Sequence, residues 1–283
     1  MDCFEIVKLK YGLPYRKALD KIIEDHEKFE LSGDINPKEH PKIEFVLGDQ
    51  KSLAYFHQFG ITNPTLEKYK VYPAKTVYRN EIAVAKARKD NPIFIYLFAS
   101  GNVKVYRPLS SDKSKKWSGN SGGGDVQGLE HLPRRGQLLF ITSSLKDVMC
   151  LHELGYNAIA FNGEGYGVGE GETSRFVEQT IAKLEKRFEH VVFYLNNDEP
   201  GINFATKLAW KFRKKFIYNS IGTPKDPSDF IKYKSFYNAK RKIKRLLSRA
   251  FRVQSGFLDF VQHLDRASSS IMPDARSSNT MAM

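Results

Sequence analysis

Apolar residues recur at Leu13, Ala18, Leu19, Ile22, Ile23 and Phe29, the spacing of one helix face, and predict a helix over 13–29. Two shorter helical stretches follow, Leu53 to Phe59 and Thr65 to Tyr69. The pattern then turns strand-like at Lys70 to Pro73, Ile82 to Ala85, Pro92 to Phe98 and Val103 to Tyr106. Ser100-Gly101-Asn102 predicts a hairpin turn between the last two. Beyond residue 128 short apolar runs alternate with amphipathic stretches. Strands are predicted at Leu138 to Ile141, Asn157 to Phe161, Val191 to Leu195 and Phe216 to Tyr218. Helices are predicted at Leu145 to Leu154, Thr173 to Phe188 and Ile202 to Lys215. Continuous apolar strands separated by amphipathic helices argue an α/β fold, a four-stranded parallel sheet covered on both faces. A last helix is predicted over about Phe236 to Phe251, and the tail from Ser268 reads as disordered.

Ser118 to Gly128 holds five glycines in eleven residues and reads as a linker or exposed loop. It divides an N-terminal α+β region, 1–117, from the alternating region, 129–232, with the basic helix and tail at 233–283. A 41% hydrophobic content with 20 Phe and 14 Tyr excludes a wholly disordered chain. No run is long enough for a membrane helix, the N-terminus lacks a signal-peptide layout, and two cysteines cannot build a disulfide framework or zinc ribbon. The expectation is a soluble protein of the cytoplasm with no membrane partner.

Charge is distributed unevenly along the chain. The 45 Lys+Arg exceed the 32 Asp+Glu by 13, and Lys232 to Arg252 contains nine basic residues and no acidic one. Such a run is either a solvated helix face or a phosphate-binding surface, and its one-sidedness favours a polyanion. Lys240, Arg241, Lys242, Lys244 and Arg245 are its candidates.

In an open parallel sheet the site lies at the carboxyl ends of the strands. Three segments fall there: Ile141-Thr-Ser-Ser-Leu-Lys-Asp147, Tyr194-Leu-Asn-Asn-Asp-Glu-Pro-Gly201 and Pro224-Lys-Asp-Pro-Ser-Asp-Phe230. Asn196 and Asp198, two apart at a strand end, share a face. Oxygen ligands grouped this way suit Mg²⁺, which binds one or two carboxylates together with water and substrate phosphates.

The order ITSSLKD, LNNDEPG, KDPSD resembles the Toprim domain of bacterial and phage primases, whose motifs run ITEG..D, DxDxxG and KDP.D. The stretches at 56–73, 103–120 and 128–133 are similar to the basic RNA-polymerase subdomain that precedes Toprim in phage primases. The resemblance covers about residues 50 to 232. It implies Mg²⁺-dependent (or Mn²⁺-dependent) synthesis of short RNA primers on single-stranded DNA from nucleoside triphosphates. It also implies a phage replication protein working in a bacterial host cytoplasm, with a separate replicative helicase as partner and without the zinc module.

Carried over by position, Asp198 matches the second Asp of DxD, Asp226 and Asp229 the downstream pair, and Asp147 the Asp of the first motif. The motif Glu is replaced by Ser143 and the first Asp of DxD by Asn196, both without charge. Glu164, following the second strand, is the candidate to compensate, as ligand and catalytic group with Asp198 and Asp147. Lys104, Arg107, Lys115, Lys116 and Trp117, on or after one hairpin, are phosphate- or base-contacting candidates, as are Lys146 and Lys225 beside the acidic motifs. Arg79 is a weaker one. Gly119 to Gly123 fits G-x-S-x-G but lacks the strand before it and the helix after it that a nucleophile elbow needs. No Gly-Lys dipeptide exists, so there is no Walker A loop. Two other readings stay open: a catalytically silent nucleic-acid-binding or replisome module, which the lost carboxylates favour, and a Toprim nuclease.

Overall fold

The structure, a computed structural model, describes residues 41–163, 165–217 and 224–251, with four isolated positions nearer the N-terminus. Contacts divide the chain into Met1–Pro41 and Lys42–Met283, and the second unit holds everything described below. The helix expected over 13–29 and the tail from 268 lie outside the described residues, apart from isolated positions of the former.

An antiparallel lobe comes first. Its strands are β1 (Ile43–Leu47), β2 (Val71–Arg79), β3 (Ile82–Lys86), β4 (Ile93–Leu97), β5 (Val103–Tyr106) and β6 (Trp117–Gly119). They pair in the order β1-β2-β4-β5-β6, with β3 on β2. Two short helices, α1 (Ala54–His57) and α2 (Asn63–Lys68), lie between β1 and β2. The expected turn joins β4 to β5, with Gly101 at φ +85° and the Phe98 N–H donating to the Asn102 carbonyl. Side chains alternate across this sheet. Ile93, Ile95, Val103 and Val105 fill one core cluster, whereas Phe94, Tyr96 and Tyr106 face a second with α1. Two strands escaped the sequence reading. β1 is a short edge strand with only Ile43 and Phe45 half-buried, and β6 has three residues.

The parallel lobe contains β7 (Gly136–Thr142), β8 (Asn157–Ala160), β9 (Phe188–Tyr194) and the two-residue β10 (Lys215–Phe216), in the order β10-β9-β7-β8. The helices are α3 (Leu145–Glu153), α4 (Glu172–Glu185), α5 (Glu199–Phe212), α6 (Pro227–Lys234) and α7 over 236–251. Both sheet faces are covered, which is why its strands read as unbroken apolar runs. Leu139, Ile141, Val191 and Phe193 pack with Val177, Ile181 and Leu184 of α4 and Leu208 of α5. Phe140, Val192 and Tyr194 face the opposite way, onto α3 and α7. That second cluster also takes Phe56, Phe94 and Tyr106, so a single apolar core fastens the two lobes together. Phe188, expected to end α4, instead begins β9. Among the described residues no helix is long and apolar enough to cross a membrane.

The turn from α6 into α7 is strained. Ser235 has φ 86° and ψ 157°, a conformation that glycine alone adopts without cost. The corner is held against the 59–60 turn, where Gly60 has φ +71° and an added Cβ would lie 3.1 Å from Ile231 and 3.5 Å from Phe236.

Candidate functional site

The sheet order places β7 beside β9 with their outgoing connections diverging, and ligands of open α/β sheets bind in the crevice this leaves. A cleft of about 760 Å³ opens there. One wall comes from the parallel lobe and α6, the other from β5, β6 and α1 of the antiparallel lobe.

On the parallel wall Ser143 and Asn196 are tied together, the Asn196 N–H donating to Ser143 Oγ at 3.0 Å. These are the positions of the two missing motif carboxylates. Gly201 lets the first turn of α5 lie close against Asn196, since a Cβ there would lie 2.3 Å from the Asn196 carbonyl oxygen. Ser144 caps α3 and donates to Asp147 Oδ2 at 2.6 Å. Asp147 is buried, and the Ser228 N–H reaches its other oxygen at 3.4 Å. Asp226 caps α6, accepting from the Asp229 N–H at 2.7 Å and from the Ser228 hydroxyl. Burial, then the neighbouring Asp226 charge, pushes the Asp147 carboxyl up to about 7. The same two causes, in the same order, raise Asp229. Lys146 lies 3.8 Å from Asp226 Oδ2; burial would lower its pKa, but Asp226, Asp147 and Asp229 together raise it.

Asp198 is placed differently. It caps α5 through the Gly201 N–H at 3.1 Å, and its other oxygen lies 2.6 Å from Lys225 Nζ. Although partial burial opposes it, the Lys225 and Gly201 hydrogen bonds hold the carboxyl below its ordinary value. Asp198 is not among the cleft-lining residues and reaches the cleft through Lys225. The Asn197 N–H donates to the Lys225 carbonyl at 2.7 Å, which ties these two segments together.

The facing wall is aromatic and basic. Tyr106 and Trp117 stack with ring centroids 4.2 Å apart and 16° between planes. Lys104 follows the strand alternation onto the Tyr106 face, donates to the Asn162 carbonyl at 2.9 Å and lies 4.9 Å from the Trp117 centroid. Burial pulls its pKa down to about 8. Lys116 is also lowered, by burial first and then by Lys146 and Lys225. The cleft is therefore lined by five lysines (104, 116, 146, 225 and 232) and three aspartates (147, 226 and 229).

Of the sequence candidates, the fold brings Lys104, Lys116, Trp117, Lys146, Asp147, Asn196, Lys225, Asp226 and Asp229 to the cleft. Arg107, Lys115 and Arg79 do not line it; Lys115 pairs with Asp112 at 3.1 Å. Lys240, Arg241, Lys242, Lys244 and Arg245 lie on α7, away from the cleft lining. Glu164 lies outside the described residues. The sequence reading missed Tyr55, Tyr106, Asn162 and Lys232 on the cleft, and the Ser144 and Ser228 hydroxyls around the carboxylates. Ser144 had a signal, the S-x-x-D spacing of a helix cap. Tyr106 is two positions from Lys104, hence on its face.

A divalent ion fits this donor set poorly. Among the described residues no group of three or more His, Cys, Asp or Glu side chains could hold a metal. The hydroxyl that stands for the motif Glu accepts a backbone hydrogen bond, Asp198 is held by Lys225, and lysines outnumber aspartates on the cleft wall. What the wall does fit is an anion of several charges with a flat ring system.

No curated protein matches the sequence. Two bacteriophage T7 structures are similar. One, at 16% identity and a TM-score of 0.47, covers 74% of this chain and 93% of the other. It is described as T7 lagging-strand DNA polymerase interacting with primase domains of two gp4 subunits bound to an RNA/DNA hybrid and dTTP. The other is the primase fragment of the T7 primase-helicase protein, at 16% identity and a TM-score of 0.46, covering 72% of this chain and 75% of that one. Residues 140–231 match the family model described as Toprim-like. That match runs from β7 to α6, the segments that build the carboxylate side of the cleft, so the chain carries a Toprim-like domain.

Proposed function

We propose that this protein is a primase-like nucleotidyltransferase of DNA replication, which binds single-stranded DNA and a nucleoside triphosphate in the cleft and makes short RNA primers. The observation that supports it is a cleft at the sheet's topological switch point in which Lys104, Lys116 and the Tyr106–Trp117 stack face the buried Asp147 and Asp226, with Lys146, Lys225 and Lys232 on the carboxylates' own wall. Phosphates brought near Asp147, Asp226 and Asp229 would be repelled, and Lys104, Lys116, Lys146, Lys225 and Lys232 offset that repulsion. The aromatic wall offers a face for a base. Because the described residues do not complete a metal site, turnover in this reading depends on Glu164, which follows β8 in sequence.

A second reading, a nucleic-acid-binding module without turnover, is favoured by a specific feature. Ser143 and Asn196 bond to each other, and Asp198 is paired with Lys225. Labelled ribonucleotide incorporation on single-stranded DNA, with Mg²⁺ or Mn²⁺, decides between them. Primer synthesis requires short RNA products from wild type and none from Glu164→Gln, with DNA binding equal in both. Absence of products from wild type, with binding retained, overturns synthesis and leaves the binding module.

A further inference from the structure

The outer face of α7 carries chemistry that the cleft does not use. From Lys232 to Arg252 there are nine basic residues and no acidic one, so the segment brings no carboxylate of its own to neutralise them. The helix buries Ala239, Ile243 and Ala250, with Leu246 and Leu247 packed beside them. Lys240, Arg241, Lys244, Arg245 and Arg249 remain exposed. A basic amphipathic helix suits an anionic membrane when its apolar face is available. Here that face is already committed to the core.

Two further observations point to a polyanion with bases. Tyr233 and Tyr237 are 63% and 68% exposed, which is unusual for rings of this size. Each has a cation against it: Lys232 Nζ lies 5.3 Å from the Tyr233 centroid, and the Arg241 guanidinium 5.6 Å from that of Tyr237. The surface also borders the cleft through α6. Lys232 lines the cleft, and a second hollow of about 250 Å³ between α6 and α7 is lined by Phe230, Lys234, Arg241 and Arg245 among others. Helix α6 contributes to both.

We propose that α6 and α7 form a track for single-stranded nucleic acid continuing out of the cleft, with basic side chains meeting successive phosphates and Tyr233 and Tyr237 stacking on bases. The inference rests on the reading of the cleft as a nucleic-acid site. An acidic protein would be met by charge alone and would leave the two rings unused.

The test is fluorescence anisotropy of the full chain with oligodeoxynucleotides of about 5 and about 20 nucleotides, lengths below and above the site size of a typical single-strand-binding fold, over a range of salt. The longer strand binds more tightly and with a steeper salt dependence. In Arg241→Gln/Lys244→Gln/Arg245→Gln its slope falls by about 2, roughly 0.7 per lost phosphate contact on a single strand. Affinity for the short strand is unchanged. Tyr237→Ala weakens the long strand about fivefold or more with the slope intact, as loss of a stacked base does. A triple variant that binds both lengths like wild type overturns the track. So does a Tyr237→Ala protein with unaltered affinity, which would point to an acidic protein partner instead. Wild type binding the long but not the short strand would count against the cleft reading and leave the track standing.

Discussion

Asp147 and Asp198 occupy comparable motif positions, yet their surroundings push them in opposite directions. Asp147 is buried beside Asp226, and its pKa rises to about 7; Asp198 faces Lys225, and its pKa falls. For a carboxyl raised above its unfolded value, the folded chain holds the proton more tightly than the unfolded chain. Its contribution to stability is complete below about pH 4 and is lost as pH rises towards 7. Chemical denaturation across that range should therefore show a decline in this contribution, and Asp147→Asn should flatten it. An unchanged pH dependence in the variant would show that other groups set it. Asp198 makes the opposite prediction. Removing its ammonium partner in Lys225→Met should raise the Asp198 pKa, since burial then acts against the Gly201 N–H bond without the Lys225 charge. Carboxyl-carbon NMR titration reads this directly. Neither shift was legible in the sequence, since ITSSLKD and LNNDEPG show which residues are acidic but not what faces them.

Among elements, legibility followed periodicity. α4, with Val177, Ile181 and Leu184 at helical spacing, and α7, with Ala239, Ile243 and Ala250, fall where the apolar pattern put them. α6 was not predicted; Pro227, Ser228 and Asp229 are the first turn of a helix capped by Asp226. The α6–α7 corner stores strain at Ser235, in a backbone conformation costing about 1–3 kcal/mol for a residue with a side chain. Ser235→Gly should recover about 1 kcal/mol, less the greater entropy of glycine in the unfolded chain. A destabilised variant in equilibrium denaturation would mean that the serine contributes something the backbone strain conceals.

For the whole molecule, the cluster shared by Phe56, Phe94, Tyr106, Phe140, Val148 and Tyr194 leaves neither lobe with a complete core of its own. The two lobes should therefore unfold in one calorimetric transition although they contain two sheets. Two resolved transitions, one lost on truncating Tyr106 to Ala, would show that the lobes are independent. The same packing holds Lys104 and Trp117 opposite Asp147 and Asp226. A nucleotide seated between them should raise the midpoint of that single transition, by binding only the folded form.

Legible from residue order alone were the parallel sheet, its covered faces, the acidic segments at its carboxyl edge, and a basic segment with no counter-charge. All of these are local: side-chain period, turn composition and charge along the chain. Tertiary structure alone decided which of those groups meet. It paired Asp198 with Lys225, bonded Asn196 to Ser143, and brought the β5–β6 hairpin and Lys232 to the cleft across long separations in sequence. Burial and the distance between charges set their chemistry, and both depend on packing between segments that no local pattern records.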